Sequence, residues 1–266
     1  MDGITLGSQS RVEIIMRLIV TTLFLLLVHT QAMSTDKIKI LTAGTFKQVL
    51  VELAPEFSAH FKVQVQIENE TTGVLVKRIA TGESFDAVVL TPGALRDPSV
   101  VQNIDLASIQ PLGRVGIAVA VKKGQVQPNI VSVDDFFRLL VETKNVAYID
   151  PASGGSSGIY LENLFRKKNL LELVRGKAVL VQGGLVAEKL ITGEAVLAIH
   201  QKSELLQVPG VTIVGPLPAE VQNYTDYSVA LSRGARENKN AQEFLNMLLS
   251  NKSIELIKAH GIDIAK

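Results

Sequence analysis

The chain of 266 residues contains no cysteine and no tryptophan, and aromatic residues make up only 5% of it. Without thiols it can have no disulfide, no thiol nucleophile, no cysteine-based zinc site, no iron–sulfur cluster and no lipidated N-terminal cysteine. The missing tryptophan weighs against a cleft that stacks on sugars. Neither charge predominates: 27 basic and 26 acidic residues give a formal net charge of +1, so neither nucleic acid nor an anionic membrane surface is favoured as a partner. Histidine is scarce. His60, His200 and His260 stand far apart beyond the N-terminal segment, none at ligand spacing to another, which predicts no protein-built metal site. No cofactor motif is present: Ser153 to Gly158 is too short for a P-loop and lacks its lysine, and there is no Gly-x-Ser-x-Gly elbow.

Long apolar runs are absent too. The longest, Leu18 to Val28, falls well short of the ~20 residues a membrane-spanning helix needs. Arg11 and Arg17 precede it and Thr30-Gln31-Ala32 follows, the pattern of a signal peptide cleaved after Ala32. Met16, just before Arg17, would give a more ordinary signal peptide and is an alternative start. The expectation is an exported protein with no membrane insertion.

From Lys37 onward, apolar β-branched runs alternate with amphipathic helical runs, the pattern of a mostly parallel sheet covered by helices. Strands are predicted at 37–42, 63–68 and 86–90, with helices from Phe46 to Phe57 and from Val74 to Ala80. After a strand at 115–121 the alternation restarts, with helices at 133–142, 159–165 and 185–191 and strands at 146–149, 178–181 and 195–199. Ser132 and Asp134-Asp135 read as a helix start. Strands at 211–214 and 227–231 and two closing helices from Asn240 onward complete two α/β units in series.

In open α/β sheets ligands bind beyond the carboxyl ends of the strands. Those junctions here carry small and hydroxyl residues: Ala43-Gly44-Thr45, Thr71-Thr72-Gly73, Thr91-Pro92-Gly93, Asp150 to Gly158, and Gln182-Gly183-Gly184. Thr45 and Gln48 are spaced as a capping box. Helix N-termini offer unpaired N–H donors and partial positive charge. Each hydroxyl can serve only to cap its own helix, but their recurrence in both units points to a shared anion cleft.

The order Gly82 to Leu90, Asp150-Pro151 through Ser156-Ser157-Gly158-Ile159-Tyr160, then Gly193-Glu194-Ala195 with Ser203-Glu204-Leu205, resembles the periplasmic molybdate-binding protein family across essentially the whole mature chain. That resemblance implies a two-lobed α/β type II periplasmic binding protein fold, each lobe a mostly parallel sheet flanked by helices, with hinge strands between. It implies a signal peptide at 1–32, lobe 1 at 33–117 with 222–266 returning to it, and lobe 2 at 118–221. It further implies a monomer in the periplasm that closes over a small anion and delivers it to an ABC permease. Carried over by position, the ligand contacts are Thr45, Thr72, Thr91, Ser156, Ser157, Gly183 and Gln201. The family typically has a tyrosine where this chain has Gln201, and the Pro151 to Ser157 loop looks longer and richer in glycine, so the anion stays open between a molybdate-like oxyanion and a carboxylate.

The loop Ala152 to Tyr160, Gln201-Lys202-Ser203-Glu204-Leu205, Val208-Pro209-Gly210 and Tyr224 to Ser228 are also similar to periplasmic aconitate isomerase. That resemblance implies an enzyme that moves a double bond by taking a proton from carbon and returning it. His200 is then the candidate base by its titration range, and Lys202 and Arg114 the candidate cations. Against this, a histidine at a strand end and a lysine beside it are more often a polar side chain and a solvated charge.

Overall fold

The computed structural model describes residues 36–264; the predicted signal peptide lies outside them. Two sheets share one long strand. In the first sheet, β1 (Lys37–Ala43) lies between β2 (Gln64–Glu70) and β3 (Ala87–Leu90), parallel to both. In the second, β5 (Val146–Ile149) lies between β6 (Ala178–Val181) and β7 (Leu197–Gln201), again parallel to both. Between these parallel groups runs β4 (Gln110–Lys122).

All pairings of β4 are antiparallel. Its first half, up to Gly116, pairs with β9 (Tyr224–Leu231), which also pairs with β3. From Ile117 onward β4 pairs with β7 and from Ala118 with β8 (Val211–Pro216). The short β10 (Asp263–Ile264) joins the first sheet through β4. The sheets are therefore mixed, with antiparallel pairs where the chain crosses between lobes. The predicted strand at 115–121 was too short because Pro111 and Gly113 look like loop residues; a register shift at Pro111/Gly113 lets the ladder absorb them.

Helices cover both sheets: α1 (Lys47–Phe61), α2 (Thr72–Ala80), the single turn α3 (Pro92–Leu95), α4 (Val133–Glu142), α5 (Ser156–Lys167), α6 (Leu171–Arg175), α7 (Glu188–Ile191), α8 (Lys202–Leu205), α9 (Lys239–Leu248) and α10 (Asn251–Ala259). The Ser132/Asp135 capping box starts α4, in both directions. Asn238 and Ser250 cap α9 and α10. Each sheet is dry on both faces. Phe46, Phe57 and Phe244 pack on one face of the first sheet, and Leu75, Ile79 and Leu95 on the other. In the second, Phe136, Tyr148 and Phe165 fill one face, whereas Ala118, Ala120, Ala147 and Ala198 let α7 and α8 approach on the other. That burial on both faces explains the unbroken apolar runs of the central strands.

Where β4 changes partners, Gln222 stands in for a strand. Its Oε1 accepts from Ile117 N and its Nε2 donates to Ile117 O, both at 2.9 Å. A Cβ on Gly116 would meet Tyr224 at 3.1 Å and Gln222 at 3.4 Å, so glycine lets these crossing segments lie close together.

Candidate functional site

The carboxyl ends of β1, β2, β5 and β7 face a common cleft of about 60 Å³. From the first lobe it is lined by Ala43, Gly44, Lys47, Asn69, Glu70, Thr71, Thr72 and Tyr227. The second lobe supplies Ile149, Gly155, Ser156, Ser157, Gly184, Leu185, His200, Gln201, Glu204 and Gln207.

The floor is a buried hydrogen-bond network. Thr45 Oγ1 has three acceptors for its one proton: Gln201 Oε1 in a very short contact, Tyr227 Oη at 3.1 Å and Glu204 Oε1 at 3.3 Å. The Tyr227 hydroxyl donates to Gln201 Oε1 at 3.1 Å, and Gln201 Nε2 donates to Ser156 Oγ at 3.0 Å. Burial, reinforced by the charge of Glu204, pushes the Tyr227 hydroxyl up to about 12, so it remains a donor at neutral pH.

A second chain runs beside the first. Ser157 Oγ lies 2.8 Å from His200 Nδ1, and His200 Nε2 lies 3.2 Å from Glu204 Oε2. His200 is only 4% exposed, yet its Nε2 is out of line for a hydrogen bond and has no such partner among the described residues. Above this chain opens the N-terminus of α5. Its cap is Gly155, with no side-chain hydrogen bond, so its first amides carry the helix's unpaired donors toward the cleft.

The lobes meet at the rim. Thr71 Oγ1 donates to Ser153 O in a short bond, and Gly73 N donates to Gly154 O at 3.3 Å. A Cβ on Gly73 would stand 2.7 Å from Gly154 Cα, and one on Gly154 only 2.5 Å from Gly73 Cα. Any larger residue at either position would hold the rims apart.

A family model described as bacterial extracellular solute-binding protein matches residues 38–263. The chain belongs to that family. Over 237 residues it is 30% identical to an aconitate isomerase from a Pseudomonas species, covering 87% of this chain and 89% of that protein. Among solved structures it is similar to the periplasmic molybdate-binding protein of Azotobacter vinelandii, with TM-score 0.69, 18% identity, and coverage of 86% of this chain and 100% of that one. It is also similar to the sulfate-binding protein SubI of Mycobacterium tuberculosis, with TM-score 0.68, 16% identity, and coverage of 87% and 88%. These structural likenesses establish the two-lobed α/β fold.

In this solute-binding protein Thr72, Ser156, Ser157, His200 and Gln201 all line the cleft. Thr45 lies beneath it in the network above, and Gly183 sits at its edge, where a Cβ would be 3.7 Å from Glu70 Oε2. Other expectations need correction. Thr45 caps nothing: it lies within a 3-10 turn (Gly44–Phe46) that precedes α1, and its hydroxyl is drawn to Gln201, Tyr227 and Glu204. Thr91 is not among the lining residues, and its Oγ1 caps α3 by accepting from Ala94 N. Lys202 is exposed and its stem lies against Gly261, whereas Arg114 lies over the Tyr224 ring at 4.5 Å; neither cation lines the cleft. Gly183 and Gly184 form a bend, and α7 begins only at Glu188.

Sequence reasoning passed over Lys47, Glu70, Glu204 and Tyr227 as site residues. Glu70 ends β2 and was open to the same strand-end rule that selected Thr72. Glu204 follows His200 by four residues, across the turn from β7 into α8. Tyr227 reads only as a strand residue, and its approach to the cleft depends on β9 crossing between β3 and β4.

Proposed function

We propose that this protein is a periplasmic solute-binding protein that closes two lobes over a small anion, a molybdate-like oxyanion or a carboxylate, for an ABC importer. The carrying observation is convergence: hydroxyls and amides from both lobes, with an uncapped helix N-terminus, face one small cleft. On this reading Thr72, Ser156, Ser157 and the amides near Gly183 contact the ligand, while Thr45 and Gln201 hold the floor. The lobes are 33–117 with 222–266, and 118–221, a division supported by the change of partners at Gly116/Ile117. Export follows from a signal peptide cleaved after Ala32, and likeness to periplasmic binding proteins supports that location. A thermal-shift and calorimetric panel of molybdate, tungstate, sulfate, phosphate and di- and tricarboxylates tests the reading, since a ligand bound only by the folded state raises its apparent stability. At least one anion should bind with one-to-one stoichiometry, and silence from all of them would overturn it.

A second reading is an aconitate isomerase on the same scaffold. The observation favouring it is the Ser157–His200–Glu204 chain, a proton-handling group in the cleft of a protein 30% identical to an enzyme of that name. Incubation with trans-aconitate should then produce the cis form, with His200→Ala abolishing conversion. No turnover by the wild-type protein would remove this reading.

A further inference from the structure

The cleft proposed to hold an anion is not positively charged. Its charged side chains are one ammonium, Lys47, against two carboxylates, Glu70 and Glu204. Lys47 and Glu70 have no ion-pair partner among the described residues. The Glu204 side chain is only 11% exposed. Each element packed around it presents a different group. The turn before α1 brings Gly44, whose added Cβ would lie 2.4 Å from Glu204 Oε2, and Thr45. From β7 comes His200 at 3.2 Å and from β9 the Tyr227 hydroxyl, while Lys47 and Glu70 line the same cleft.

A carboxylate only accepts hydrogen bonds, and so do the oxygens of a fully ionised anion. Bringing the two together in a desolvated cleft sets acceptor against acceptor and charge against like charge. One added proton turns that repulsion into a charge-assisted hydrogen bond. The described residues include no group of three His, Asp or Glu side chains placed to hold a metal ion. Beyond Lys47, the positive charge that the cleft's own residues can take up is a proton, and Glu204 with His200 Nε2, buried and 3.2 Å away, is the pair placed to share it.

We propose that Glu204 is the selectivity-determining residue of the cleft: the anion is captured together with one proton, taken up by the Glu204–His200 pair beside it. This rests on the anion-binding reading. An acid that brings its own proton binds as it is, whereas a fully ionised one must draw a proton from solution.

The test is calorimetric titration of the full-length mature protein at pH 8 in two buffers of different ionisation heat. Hydrogen phosphate, citrate, trans-aconitate and sulfate are the probes. For citrate, trans-aconitate or sulfate, binding should take up about one proton and affinity should fall about tenfold per pH unit. Hydrogen phosphate, carrying its proton, should bind with little uptake. Glu204→Gln, which can itself donate, should abolish the uptake and raise affinity for the ionised anions at pH 8 about tenfold. Ionised anions that bind wild-type protein with buffer-independent heat would overturn the proposal and leave the anion reading standing. Absence of binding by all four probes would overturn this proposal, and silence from molybdate and tungstate and the rest of the panel as well would overturn the anion reading. Should Glu204→Gln not fold, Glu204→Asp, which withdraws the carboxylate from His200, takes its place and should weaken the uptake, while buffer-independent heat of the wild-type protein still overturns the proposal.

Discussion

The two lobes offer a helix N-terminus to the cleft in different states. At α2, in the first lobe, Thr71 caps its own helix by accepting from Val74 N, and its hydroxyl proton goes to Ser153 across the rim. At α5, in the second lobe, Gly155 supplies no cap. One end is self-satisfied and works as a clasp; the other keeps its donors for a guest. The flanking residues follow the same division, because Thr71 and Gly73 grip the facing loop whereas Ser156 and Ser157 belong to the networks beneath the ligand. Helix starts that look alike in sequence therefore differ in chemistry according to whether the cap position carries a hydroxyl or a hydrogen.

The sharpest way to break this contrast is Gly73→Ala. Alanine suits a helix better than glycine by ~0.5–1 kcal/mol, so the melting temperature should hold or rise. Its methyl group would meet Gly154 at 2.7 Å, so the closed form should become rare and ligand affinity fall about a hundredfold. Calorimetry beside a thermal melt reads both, and unchanged affinity would show that the rim contact does not accompany closure.

Next in size is Arg175→Ala, in the second lobe. Arg175 makes two bonds, of 2.7 and 2.6 Å, to Glu162, a carboxylate only 4% exposed. Removing it takes the partner charge from a buried carboxylate and leaves it the Tyr148 hydroxyl at 3.3 Å as donor, so the midpoint of chemical denaturation should fall clearly. A cost near zero would mean that Glu162 is solvated after all.

A smaller effect is expected at the crossing between lobes. Gln222→Ala removes two hydrogen bonds to Ile117 and should lower stability by about 1 kcal/mol, with faster amide exchange confined to the segments near residues 116 and 222. Exchange spread evenly over both lobes would argue against a local hinge.

The smallest effect lies in the first lobe, where Lys39, Glu68, Arg78 and Glu83 form a half-exposed ion network. Arg78→Ala should cost under ~1 kcal/mol at pH 7. The hydrogen bond from Arg78 holds Glu83 down to about 2 and also lowers Glu68. Carboxyls whose folded values are depressed add stability above their unfolded range, near ~4.3, and lose it as the pH falls toward 2. The gap between wild type and variant should therefore close between about pH 5 and pH 2 in a series of thermal melts. A gap that persists at pH 2 would show that Arg78 acts through packing.

How far these features were legible differs by level. The alternation of apolar strands and amphipathic helices was enough for the α/β class, because strands buried on both faces must be apolar throughout: Ala87–Leu90 and Val146–Ile149 have no polar residue. The strand-end rule found Thr72, Ser156 and Ser157. Its capping-box reading of Thr45 failed, since spacing cannot tell a hydroxyl that caps its own helix from one claimed by a distant partner, and Thr45 is claimed by Gln201, 156 residues away. A search at the strand ends for groups that hold an anion passed over Glu70, the last residue of β2, and Glu204, in the helix that follows β7, because carboxylates do not suit an anion site. Tyr227 was hidden for a topological reason: β9 reaches the cleft only because it lies between β3 and β4.

Amide hydrogen exchange, with and without the best-binding anion from the panel, tests the central claim most directly. Donors converging from both lobes predict slower exchange together at residues 44–47, 70–73, 153–158 and 200–204. Protection confined to one lobe, or protection elsewhere with these segments unchanged, would contradict it.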